Sequence, residues 1–192
     1  MIYNGKAFSL WAILFCVVLF VSGCGNETLT DKFVFGKNRI SCANATITVT
    51  TPFELISEGE QVESKDRSDT RISAEGHNKN LQMIITAKQI EGNETAELLT
   101  NEAKAVLQGD SYVTDLKTEE SHVKIGTEDG RKLVFVFDET VNSKKTNLTV
   151  TEYIFEYEGV LWRVIYQYRS IDETGRQLTE LIAGKIYLGT TF

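Results

Sequence analysis

The sequence predicts an α+β fold, a single domain in which an antiparallel β-sheet carries packed helices. Two observations lead to this prediction. A two-residue loop, Glu158-Gly159, joins two runs of alternating residues, as in a tight β-hairpin. Two further segments, near residues 94–109 and 170–186, carry apolar residues at helical spacing. The composition, 42% hydrophobic and 24% charged, is typical of one ordinary globular domain.

The Glu158-Gly159 loop also predicts the register of its two strands. Arg163 is expected opposite Ile154, with Glu152 and Glu156 at its diagonals. The other face places Tyr157, Phe155, Tyr153, Thr151 and Thr149 against Val160, Trp162, Val164, Tyr166 and Tyr168. Because an isolated hairpin is marginally stable in water, we expect a larger sheet with a helix packed on it.

Other strands precede this hairpin. Pro52 is expected to end one of them because proline lacks an amide donor. A charged stretch at residues 57–69 predicts a loop. The strands expected before the first helix are residues 33–35, 39–42, 45–51, 70–75 and 80–89, the last with Leu81, Met83, Ile85 and Ala87 on one face.

The first helix is predicted to begin at a cap on Asn93 and to end at Gly109. Its apolar stripe is Ala96, Leu99, Ala103 and Val106. The second helix is predicted from the capping-box spacing of Ser170 and Glu173, with Gly175 and Gly184 each weakening it by about 1 kcal/mol. Its stripe is Leu178, Leu181, Ile182 and Ile186.

Between the helices we expect short strands at residues 112–118 and 121–125, followed by a turn at Asp129-Gly130. The next strand, residues 132–137, is apolar on both faces and is therefore expected to be covered on both. Residues 138–147 are polar and predict a long loop, either mobile or partner-facing, that includes the basic pair Lys144-Lys145.

The N-terminus predicts a targeting signal. Lys6 precedes an apolar run at residues 7–21, too short for a membrane span of about 20 residues. The following Val21-Ser22-Gly23-Cys24 resembles the lipobox of bacterial lipoproteins. The expected organisation is a signal peptide at 1–23, a tether at 24–32 and one domain at 33–192. The alternatives are an ordinary signal peptide with a chance cysteine and an uncleaved membrane anchor.

The lipobox resemblance implies that Cys24 carries diacylglycerol, with palmitate-like chains that hold the protein on a membrane. The implied location is the cell membrane or outer membrane, facing away from the cytoplasm. Cleavage after residue 23 removes one cation, Lys6, and no acid, so the formal charge of −7 becomes −8. This acidic balance argues against nucleic acid as a partner. Cys42 is then the remaining thiol and is expected to be a small buried apolar residue.

The sequence shows no enzymatic signature. His77 and His122 are far apart and are expected to be exposed without a role, and no spacing suggests a metal or cofactor site. Glu119-Glu120 and Glu128-Asp129 are acid pairs that leave open a glycosidase-type carboxylate pair. Four N-x-Thr sequons begin at Asn26, Asn44, Asn93 and Asn147. In a eukaryotic secreted protein they would suggest surface glycans, which conflicts with a bacterial lipobox. We favour the lipobox interpretation.

The order of elements resembles the PsbP and Mog-like group of small α/β proteins, which includes bacterial lipoproteins. The matching features are the strand end at Val49-Thr50-Thr51-Pro52-Phe53, the helix through Gly109, the Glu158-Gly159 hairpin, and a last helix before a short tail to Phe192. Phe53 stands near the place where many relatives carry a tryptophan. The resemblance implies an α/β/α sandwich and mostly non-catalytic duties, such as assembly factors, phage-sensitivity lipoproteins and a Ran-binding protein.

Together these patterns predict a membrane-anchored extracytoplasmic bacterial lipoprotein that acts as a non-enzymatic binding or accessory module. It would contact membrane lipid through acylated Cys24 and an envelope protein through sheet-helix grooves or through residues 138–147. The alternatives are an envelope-modifying hydrolase that uses paired carboxylates and a structural envelope protein.

Overall fold

The computed structural model describes residues 28–58 and 71–189. Cys24, the predicted signal peptide at 1–23 and most of the predicted loop at 57–69 lie outside these ranges. The chain divides into two units, Met1–Phe33 and Val34–Phe192. In the first unit, a single helical turn, α1 (Leu29–Lys32), begins after Thr28 and lies within the predicted tether.

The described residues of the second unit form two antiparallel sheets. The small sheet has the strand order β1-β2-β10, and the large sheet has the order β3-β4-β5-β9-β8-β7-β6. The strands are β1 (Gly36–Cys42), β2 (Ala45–Thr51), β3 (Ile56–Glu58), β4 (Arg71–His77), β5 (Gln82–Gln89), β6 (Val113–Ile125), β7 (Glu128–Val141), β8 (Lys144–Tyr157), β9 (Val160–Arg169) and β10 (Ile186–Leu188). Two helices, α2 (Ala96–Gly109) and α3 (Glu173–Ile182), complete the unit.

The predicted class, a single α+β domain with antiparallel strands and packed helices, is confirmed. The predicted register of the β8–β9 hairpin is also confirmed, since Tyr157 pairs with Val160, Phe155 with Trp162 and Ile154 with Arg163. Its turn places Glu158 and Gly159 at φ values of 50° and 73°, as a tight two-residue loop requires.

Helix α2 covers one face of the large sheet. Ala103 packs there against alternate residues of β7 and β8, because side chains along a strand point alternately to its two faces. The buried residues of this layer are Ala103, Leu133, Phe135, Phe137, Leu148, Val150, Ile154 and Leu161.

The small sheet and α3 cover the opposite face. Strand β1 contacts β4 and β5, and α3 contacts both β9 and β2. The rings of Phe155 and Trp162 stack there with centroids 6.5 Å apart. Cys42 is buried in the small sheet, as predicted, and burial raises the pKa of its thiol.

Residues 138–147 are not the predicted long loop. They continue β7 and β8 in register, with Asp138 opposite Asn147 and Val141 opposite Lys144. Asn142 and Ser143 form the turn at φ values of 50° and 61°, the left-handed conformation of a two-residue hairpin turn. The segment is polar because this hairpin extends past the core, so its exposed residues carry no apolar pattern.

Other strand boundaries differ from prediction. Residues 36–38 belong to β1 rather than to a turn, because they pair with β2. Residues 113–125 form one long strand with a bulge between Thr114 and Lys117, where Asp115 has a φ of 55°. The turn predicted at Asp129-Gly130 lies instead at Gly126-Thr127, and Gly130 pairs within β7.

The helix starts also differ. Helix α2 is capped by Thr95 rather than Asn93, and α3 is capped by Asp172 rather than Ser170. The hydroxyl of Ser170 instead lies 2.8 Å from that of Thr149. Two residues of the predicted apolar helix stripes are not buried helix residues. Val106 is exposed, and Ile186 belongs to β10.

The large sheet has two distinct ends. At the end that we call the entry end lie the β4–β5 and β7–β8 turns and the α2–β6 and β9–α3 connections. The chain enters the unit there, since β1 begins with Gly36 opposite Thr51 and the following Phe53 packs closely on Gly76 in β4. At the far end lie the start of α2 and the β6–β7 and β8–β9 turns.

Candidate functional site

A polar groove of about 560 Å³ opens at the far end of the large sheet, where α2 begins. We call it the α2 groove. The helix covers β7 and β8 only from this point onward, so the strand ends beyond it remain accessible. The groove is lined by Thr95, Ala96 and Glu97 from the helix start, His122 from β6, Asp129, Gly130 and Arg131 from β7, and Glu156 from β8.

Glu156 joins the helix start to the sheet. Its Oε1 accepts a hydrogen bond of 2.8 Å from the backbone amide of Ala96, the first residue of α2. The Thr95 hydroxyl accepts another hydrogen bond at the helix start, from the backbone amide of Leu98. A carboxylate at this position is favourable because the amides at a helix start are unsatisfied and carry partial positive charge. The contact fixes one wall of the groove.

A chain of charged and polar side chains forms the opposite wall. Arg131 Nη1 lies 3.3 Å from Glu120 and 2.6 Å from His122 Nε2. A guanidinium can only donate hydrogen bonds, so His122 Nε2 is the acceptor in this contact. Lys104 on α2 also pairs with Glu120, and its hydrogen bond holds the pKa of that carboxyl below the usual value.

The groove carries more negative than positive charge. Glu97, Asp129 and Glu156 line it against a single guanidinium, that of Arg131. Asp129 forms an ion pair of 2.8 Å with Lys124, whose hydrogen bond lowers the pKa of Asp129. Asp129 therefore stays charged near neutral pH, and with Glu97 and Glu156 beside it the arrangement suits a polar ligand or a basic side chain of a partner protein.

The acid pairs singled out in the sequence do not form catalytic pairs. Glu119 and Glu120 are neighbours within β6, and Glu128 and Asp129 are neighbours within β7, so the members of each pair point to opposite faces of the sheet. Glu152 and Glu156 do share a face, but four residues of strand separate them by about 13 Å. Glycosidase carboxylates lie closer together, at about 5–9.5 Å.

The remaining predicted residues lie apart from the groove. His77 is exposed on β4 at the entry end, whereas His122 lines the groove. Lys145 pairs with Asp138 at 2.8 Å within the β7–β8 hairpin. Within the described ranges, 28–58 and 71–189, no group of three or more metal-ligating side chains comes together. Cys24 lies outside the described residues, so its lipidation stays a prediction.

A second, smaller pocket of about 210 Å³ lies at the entry end beside the β4–β5 turn. Asn78 Oδ1 accepts hydrogen bonds from the amides of Asn80 and Leu81. The Asn80 amide group in turn donates to Asp172 Oδ2 at 2.9 Å. These contacts join the turn to the start of α3.

Sequence reasoning missed most of the α2 groove. Glu156 was noted as a neighbour of Arg163, but its contact with Ala96 joins residues 60 positions apart. Arg131 and Thr95 were missed because the β6–β7 turn was placed three residues too late and the helix cap two residues too early. A threonine directly before the apolar run was the available signal for the cap.

Among the described residues, no helix combines the length and the apolar character that crossing a bilayer requires.

Comparison with known proteins gives a match in structure alone. No protein-family model matches the chain, and no curated protein sequence matches it. The fold is similar to the crystal structure of LpqN, described as involved in cell envelope biogenesis of Mycobacterium tuberculosis, with a TM-score of 0.52. The match covers 86% of this chain and 99% of LpqN at 10% sequence identity, so what the two proteins share is the fold.

Proposed function

We propose that the chain is a lipid-anchored, extracytoplasmic protein of the bacterial cell envelope that acts as a non-enzymatic binding or accessory module. The observation that carries the proposal is the order of Lys6, the apolar run and Val21-Ser22-Gly23-Cys24. Acyl chains on Cys24 supply the anchor, since each buried methylene contributes about 0.8 kcal/mol. The likeness of the fold to LpqN, an envelope biogenesis protein, supports an accessory role.

The α2 groove is the binding surface in this proposal. Its acidic lining and its open shape favour recognition over catalysis. The expected partner is an envelope protein that inserts a basic or polar side chain. Charged pairs of this kind mainly set specificity and the rate of association.

Metabolic labelling tests the anchor. Cells that produce the wild-type chain or its Cys24→Ala variant are grown with a palmitate analogue, and label on the purified protein is compared. We expect label on the wild type and a complete loss in the variant. Equal labelling of the two chains would refute the anchor.

Site-specific photo-crosslinking tests the groove. A photoreactive residue replaces Glu97 in the groove or, as a matched control, the exposed acid Glu75 on β4. We expect one discrete adduct in native membranes from position 97 and none from position 75. Adducts of equal yield from both positions would show that the groove is not a specific contact.

A further inference from the structure

We propose that the entry end of the domain rests on the lipid surface, through exposed apolar side chains gathered there, and that the α2 groove therefore points away from the membrane. The side chains are Val106, Tyr112, Val141 and Ile171, which we call the apolar fringe. The inference rests on the proposed lipid anchor but adds a second, non-covalent contact and an orientation.

The fringe residues are strongly exposed. Ile171 is 90% exposed and Tyr112 is 62% exposed, and Val106 and Val141 are also among the exposed large hydrophobic residues. Single apolar residues on a surface are ordinary. Four at one end of the domain, including a tyrosine with an apolar ring and a polar hydroxyl, fit the boundary between headgroups and acyl chains.

Backbone contacts place the fringe at one end. The amide of Thr140 donates to the carbonyl of Tyr112 at 2.9 Å, so Tyr112 lies beside the tip of the β7–β8 hairpin that carries Val141. The amide of Ser170 donates to the carbonyl of Asn147 at 3.0 Å, so Ile171 lies beside the base of the same hairpin. Val106 lies in the C-terminal half of α2, which leads directly to Tyr112.

The chain arrives from its anchor at this same end. Val34, the first residue of the unit, is 91% exposed and lies two residues before Gly36, which pairs with Thr51. Ten residues along the chain separate Val34 from Cys24. Fully extended they reach at most about 35 Å, and any helical turn shortens that reach. The tether therefore holds the entry end near the bilayer.

The test uses the full acylated chain in vesicles of phosphatidylglycerol and phosphatidylcholine that carry a nitroxide quencher on the acyl chains. An environment-sensitive dye is attached to Ile171→Cys or, as a control, to Leu98→Cys, a residue 47% exposed in the first turn of α2 at the far end. Cys42 is buried, so the introduced thiols are the accessible ones. We expect quenching several-fold stronger at position 171 than at position 98.

Flotation of the vesicles separates the two claims. If the chain floats and the two dyes are quenched equally, the anchor stands and the proposed orientation is wrong. If the dye at position 171 shifts to the blue without quenching, a second copy or another protein covers the fringe, and the lipid contact is also wrong. If the acylated chain does not float at all, both the anchor and the inference are overturned.

Discussion

Arg163 on β9 donates two hydrogen bonds, of 2.8 and 2.7 Å, to the two carboxylate oxygens of Glu152 on the neighbouring strand β8. Glu152 is 2% exposed, whereas Arg163 reaches partly to solvent. The pair lies on the face of the large sheet that also carries Ile154 and Leu161. A charge in such a layer is tolerated because its partner satisfies both oxygens.

Removal of the Arg163 side chain should therefore destabilise the fold. The variant Arg163→Met leaves a buried carboxylate without its partner, and we expect the free energy of unfolding to fall by about 3–5 kcal/mol. Urea unfolding followed by circular dichroism measures the change. The double variant Glu152→Leu/Arg163→Leu should lie much closer to the wild type because no charge remains buried. A loss below about 1 kcal/mol in the single variant would show that the pair is not structurally important.

Gly175 should not tolerate a side chain. A Cβ at this position would lie 2.5 Å from the carbonyl oxygen of Asn80 and 2.8 Å from Tyr168 Cβ. Although alanine favours a helix, we expect Gly175→Ala to destabilise the fold by about 1–3 kcal/mol. Gly109→Ala, at the end of α2 with open space around it, is the matched control and should be neutral or slightly stabilising. Equal urea midpoints for the two variants would contradict the close approach.

The cap of α3 predicts a loss of stability in acid. Burial alone would raise the pKa of Asp172, but hydrogen bonds from Asn80 and from the amide of Gly175 outweigh it and lower this pKa below the ordinary value. The stabilisation is therefore complete above the ordinary pKa of about 3.9 and is lost as pH falls through the folded-state pKa.

Asp172→Asn keeps a capping side chain but cannot ionise. At pH 7 we expect it to be about 1 kcal/mol less stable than the wild type, because hydrogen bonds to a charged acceptor are the stronger ones. The difference in the free energy of unfolding between the wild type and the variant should become smaller when unfolding is measured below pH 4. A difference that stays constant from pH 7 to pH 3 would show that ionisation of Asp172 does not stabilise the fold.

The β7–β8 turn predicts a stabilising substitution. Ser143 has a φ of 61°, which costs a residue with a side chain about 1 kcal/mol. Ser143→Gly should relieve that cost and raise the free energy of unfolding by up to about 1 kcal/mol. Gly159→Ala in the β8–β9 turn, at a φ of 73° with nothing near its Cβ, should change stability in the opposite direction. If the free energy of unfolding changed in the same direction in both variants, the result would contradict the turn geometry.

Local patterns predicted the fold better than the site. The pairing of Phe155 with Trp162 follows from one two-residue loop and strict alternation, both of which a sequence displays. The hairpin at Asn142-Ser143 was hidden because it lacks glycine and its strands extend beyond the core. The α2 groove was hidden because Ala96, Arg131 and Glu156 meet only after helix and sheet have packed.

The N-terminus of the mature protein tests the central claim most directly. The protein is purified from its native membranes, and its N-terminal peptide is analysed by mass spectrometry. We expect a peptide that begins at Cys24 and carries diacylglycerol on the sulfur. A mature chain that retains residues 1–23, or that begins at another residue without an acyl group, would contradict the lipid anchor and the envelope role that depends on it.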